Sequence, residues 1–62
     1  MCLATVYGKK DDTESVILKN ATRIDVDGDR VILRDIMGDE KTVTGKVVMV
    51  DLANSIVKIQ CD

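Results

Sequence analysis

Thr22-Arg23-Ile24-Asp25-Val26-Asp27-Gly28-Asp29-Arg30-Val31-Ile32-Leu33-Arg34 is the stretch on which the fold turns. Apolar and charged residues alternate on both sides of Asp27-Gly28. An Asp-Gly pair between alternating runs supplies the positive-φ residues that a tight hairpin needs. The pattern predicts two antiparallel strands. Ile24 and Val26 point inward on the first, with Arg23 and Asp25 toward water. On the return strand, Arg30 to Ile36, Val31 and Leu33 share one face and Arg30, Ile32 and Arg34 the other.

Outward from this hairpin the chain reads as more short strands. Cys2 to Tyr7 alternates and is followed by the polar loop Gly8-Lys9-Lys10-Asp11-Asp12-Thr13. Ser15-Val16-Ile17-Leu18-Lys19 holds an unbroken apolar run, Val16 to Leu18, which predicts a strand covered on both sides. Asn20-Ala21 reads as a connection and Met37-Gly38-Asp39-Glu40 as a turn. Lys41 to Val50 is long for one strand, and Gly45 near its middle marks a bend. The expectation is two segments, Thr42-Val43 and Lys46 to Val50. Asp51-Leu52-Ala53-Asn54 makes a turn before a last strand from Ile56 to Gln60, in which Val57, Ile59 and Cys61 alternate with Lys58 and Gln60. The sum is all-β: about six short strands, linked by hairpins, in a small curled barrel.

Length bounds what such a barrel can do. The 62 residues make one domain, residues 1–62. A chain this short buries only about 60% of its unfolded surface. Several strands are apolar on both faces, yet a small barrel has one interior. A homodimer is the expected cover for the surplus.

Composition excludes much chemistry. Without histidine there is no His-based acid–base work, no Ser-His-Asp triad and no Cys-His pair. No glycine-rich phosphate loop is present, so the chain does not read as an enzyme. The net charge of −2, the pI near 4.9 and a single aromatic residue argue against a nucleic-acid surface. Asp25, Asp27 and Asp29 superficially suggest a calcium loop, but the downstream glutamate and loop spacing are missing. No apolar run is long enough to span a bilayer, and Met1-Cys2 leads straight into a strand rather than a signal sequence. The expected location is the cytoplasm, with both thiols reduced.

What survives is Cys2. Its thiolate, its amide nitrogen and the Met1 amine can close two five-membered chelate rings on one metal ion. Ni(II) and Cu(II) favour such planar nitrogen and sulfur donors. The other reading is a small buried residue opening a strand, since free Cys is among the most buried types. Cys61, in phase with Val57 and Ile59, has its own structural reading as the end of a core row.

As a whole the chain resembles the CooT family of small nickel-binding proteins associated with carbon monoxide dehydrogenase maturation. The resemblance rests on Met1-Cys2-Leu3-Ala4, the hairpin through Asp27-Gly28, the segment from Thr44-Gly45-Lys46 to Val50-Asp51-Leu52, and Ile56-Val57-Lys58-Ile59. It implies an SH3-like barrel, a homodimer and a Ni(II) site at Cys2, with Met1 as neighbouring donor. It also implies a nickel enzyme, or that enzyme's maturation proteins, as partner, and a role as metallochaperone or nickel holder. Thr44 stands where relatives can carry proline, which leaves the bend to Gly45. The family has also been labelled RNA-binding. A small-barrel module for RNA or a peptide, with Cys2 structural, is therefore the alternative function.

Overall fold

The computed structural model describes residues 3–62, in five strands: β1 (Ala4–Lys10), β2 (Thr13–Asp27), β3 (Arg30–Asp35), β4 (Glu40–Asp51) and β5 (Ile56–Cys61). They close into a barrel in the order β1-β2-β3-β4-β5. Neighbours along the chain are antiparallel, and β1 and β5 close the ring as a parallel pair, Thr5 opposite Ile56 through Lys9 opposite Gln60.

Five strands replace the expected six or so because neither β2 at Asn20-Ala21 nor β4 at Gly45 breaks. At Asn20-Ala21, β2 turns a corner instead. Residues up to Ala21 pair with β1, and from Ala21 onward the strand pairs with β3. Asn20 takes φ of 58°, a conformation that asparagine tolerates better than most residues. Its carbonyl accepts the Ile36 N–H at 3.0 Å, so the corner is tied to the β3–β4 turn. Ala21 follows, small and buried.

A second corner carries β4 past Gly45. Glu40 to Thr44 pair with β3, and Gly45 to Asp51 pair with β5. The bend expected at Gly45 is present, but the strand stays continuous. Gly45 has φ of 158°, its N–H donates to Asp29 O at 2.8 Å, and a Cβ there would strike the backbone carbonyl oxygen of Gln60. Only glycine lets the two strands approach this closely. The predicted loop after Tyr7 is also shorter than expected. β1 runs on to Lys10, because Gly8 takes a buried position over which Ile17 and Cys61 close.

The apolar runs have a different cause from the one the sequence suggests. Val6 pairs with Leu18 and Tyr7 with Val16, so Ile17 is a bulge, and both Ile17 and Leu18 pack on the core. Val47 pairs with Ile59 and Met49 with Lys58, so Val48 is a second bulge. Each bulge shifts the alternation by one residue. Val47 and Val50 therefore share a face, while Val48 is 62% exposed. Neither strand is covered on both sides: Val16, Val48 and Val50 all reach solvent.

The core is small. Val6, Ala21, Val31, Leu33, Val57 and Ile59 are buried, drawn from four of the strands, and partly buried residues such as Ile24, Val43 and Cys61 pack around them. Val31 and Leu33 point inward as the hairpin pattern predicts. Each large aliphatic side chain sealed here contributes about 1.5–3 kcal/mol.

Candidate functional site

Met1 and Cys2, the candidate metal ligands, lie outside the described residues. What the structure supplies is the ground beside them. Ala4 opens β1, and the Thr5 N–H donates to Ser55 O at 2.9 Å, fixing the start of the strand to the end of the β4–β5 turn. Cys2 is two peptide units from Ala4, within about 7 Å by chain geometry.

Ala4 is a wall of two adjoining apolar hollows. The larger, about 410 Å³, lies over Ala21, Ile24, Val47 and Val57 and is rimmed by Val26 and Leu52. The smaller, about 210 Å³, runs between Ala4, Val50, Leu52 and Ile56. Together they form one groove across the barrel. Its rim is exposed: Val26 by 64%, Val50 by 55% and Leu52 by 83%.

The turn that presents Leu52 is rigidly built. Asp51 accepts from the Asn54 backbone N–H at 3.1 Å and from the Asn54 side-chain amide at 3.0 Å. The side-chain bond, then the backbone bond, hold the Asp51 carboxyl below its ordinary pKa. The sequence marks this segment as a turn, yet an apolar Leu52 at a turn position is the signal of a presented side chain, and it goes unread there. The groove was hidden for a second reason. Ala4, Ile24, Val50 and Val57 come together only through the Val48 bulge and the parallel closure of β1 on β5.

Cys61 is placed elsewhere. It is half-buried at the far end of β5, packed against the core and over Gly8. Because β1 and β5 run parallel, the length of β1 separates Cys61 from Ala4, roughly 15–20 Å at about 3.3 Å per residue.

The acidic hairpin tip is already engaged. Arg23 Nε donates to Asp25 at 2.9 Å and Arg30 to Asp27 at 3.0 Å. Arg34 bonds Glu40 across β3 and β4; that hydrogen bond, with the charge of Glu40, raises the Arg34 pKa further. Among the described residues no three His, Cys, Asp or Glu side chains gather into a group that could hold a metal ion. No helix among them is long and apolar enough to cross a membrane.

Comparison with solved structures returns the same barrel. The crystal structure of a protein assigned as CooT from Carboxydothermus hydrogenoformans superposes with a TM-score of 0.87, covering 98% of each chain at 18% identity. At that identity the likeness is one of fold. Among curated proteins none matches the chain. The sequence model of the CO dehydrogenase accessory protein CooT matches residues 1–60, from the Met1-Cys2 start to the last strand. The chain thus belongs to the CooT family, and its role is that of an accessory protein of CO dehydrogenase, not of an enzyme.

Proposed function

We propose that this chain is a nickel-binding accessory protein, working as a homodimer in the cytoplasm, that holds or delivers Ni(II) for a nickel enzyme such as carbon monoxide dehydrogenase. The observation that carries the reading is the family match over residues 1–60, which includes Met1-Cys2. The Cys2 thiolate is the anchoring donor, and the nitrogens of Met1 and Cys2 are its neighbours. The chemistry suits the ion, since nickel accepts mixed nitrogen and sulfur ligation. The other thiol, Cys61, packs against the core at the end of β5.

One chain supplies a single thiolate and at most two adjacent nitrogens. That leaves a four-coordinate ion incomplete, and a second copy of the same segment completes it. The thiol and any amide nitrogen must lose protons before they ligate, so affinity rises with pH. The test is absorption spectroscopy during Ni(II) addition. A thiolate-to-nickel charge-transfer band should grow with the wild type and with Cys61→Ser, and be missing with Cys2→Ser. A band of undiminished strength in Cys2→Ser overturns the reading.

A further inference from the structure

We infer that the outer face of the barrel around Tyr7, Lys9 and Lys46 is a docking surface for an acidic segment of a protein partner, the CO dehydrogenase to which this chain is accessory. The inference goes beyond the metal site and does not depend on nickel. Val6, Gly8, Val57 and Ile59 are buried, so the residues that alternate with them on β1 and β5 face outward. Strand register sets these outward side chains in two rows across β2, β1, β5 and β4. Glu14, Lys9, Gln60 and Lys46 form one row, and Val16, Tyr7, Lys58 and Met49 the next. The Gln60 side-chain amide donates to Lys9 O at 3.2 Å and ties the middle of the first row together. With strands about 4.8 Å apart, each row is about 14 Å long, the reach of a short peptide segment.

The charge of this face is opposite to that of the chain. Three lysines and one glutamate give the rows a net charge of +2, on a chain of net charge −2. Glu14 meets Lys58 at 3.5 Å, whereas Lys9 and Lys46 have no carboxylate partner among the described residues. Beside them stands the chain's one aromatic residue, Tyr7, between Val16, 45% exposed, and Lys58. Tyrosine and methionine are side chains that interfaces favour at their centres. A basic row next to a largely apolar one fits a segment that carries carboxylates along one side and apolar side chains along the other. Nucleic acid fits less well. One aromatic is no stacking platform, and Glu14 interrupts the basic row where a phosphate track would run. The patch is small, which suits a transient contact.

The test is biolayer interferometry of the full chain on immobilised CO dehydrogenase from the same cell, with nickel withheld by chelation. The wild type should bind, and its dissociation constant should rise as salt is added. Lys9→Glu and Lys46→Glu should each raise that constant by about tenfold, since each sets a like charge against the partner. Lys41→Glu makes the same change of charge on β4 beyond the Gly45 corner and should leave the constant nearly unchanged. Circular dichroism checks that each barrel is intact. If a glutamate variant does not fold, Lys9→Gln and Lys46→Gln decide. A wild type that does not bind the enzyme overturns the inference, as does a loss with Lys41→Glu equal to the loss with the other two. A poly-uridine oligonucleotide bound as tightly as the enzyme, and released by the same two substitutions, overturns the choice of a protein partner.

Discussion

Replacing Gly45 by alanine should be among the most damaging single-methyl additions to this barrel. The new Cβ falls on the backbone carbonyl oxygen of Gln60 and within 3.0 Å of Gln60 C and Cys61 Cα. Backbone, unlike the end of a flexible side chain, cannot step aside without moving β5. Overpacking of this kind costs about 1–3 kcal/mol. The φ of 158° adds about 1–3 kcal/mol for a residue with a side chain. The sum, about 2–6 kcal/mol, is a large share of the roughly 3–9 kcal/mol available to a chain of 62 residues. Gly28→Ala is the internal control. Gly28 also has positive φ, 61°, but nothing lies within 4 Å of its would-be Cβ, so only the left-handed strain of about 1–2 kcal/mol remains. Urea denaturation of both variants, followed by circular dichroism, gives the comparison. A Gly45→Ala midpoint loss no greater than that of Gly28→Ala, at unchanged m-value, refutes the close approach of β4 to β5.

Three further outcomes follow from the same geometry. Leu33→Ala empties the centre of the core and should cost about 2–5 kcal/mol by denaturant titration, whereas the same change at exposed Leu52 should cost little in the folded monomer. Asn20→Val should destabilise by about 1–2 kcal/mol, since a β-branched residue resists φ of 58°, and Asn20→Gly should be nearly neutral. Asp51 has a lowered folded pKa, so its stabilising contribution is complete above the ordinary carboxylate pKa and is lost as pH falls through the lowered value. The stability gap between wild type and Asp51→Ala, measured against pH, should therefore be flat near neutrality and close only in strongly acid solution.

The hairpin was plain in the sequence because its signals are local. Asp27-Gly28 fixes the turn, and the alternation from Arg30 to Arg34 sends Val31 and Leu33 to the interior, where both are fully sealed. The corners were half legible. Gly45 announces a bend, but whether a chain breaks or merely changes partner there is a question of distant pairing, decided by β3 on one side and β5 on the other. Asn20 reads as a loop residue because its left-handed tolerance serves loops and strand corners alike. The bulges at Ile17 and Val48 were not legible at all. An apolar run looks the same whether both faces are covered or an extra residue resets the phase, and only the partner strand distinguishes them. The candidate site divides in the same way. Cys2 stands out by residue type and position, which are written in the sequence. The groove next to it draws Ala4, Ile24, Val50 and Val57 from four strands and exists only once the barrel closes.

Calorimetric titration of Ni(II) into the wild type and into Cys2→Ser reaches the central claim most directly. The account predicts about half an equivalent of nickel per chain for the wild type, affinity that rises with pH, and no tight binding by Cys2→Ser. Tight binding retained by Cys2→Ser contradicts the site at Cys2, and one nickel per chain contradicts its sharing between two copies.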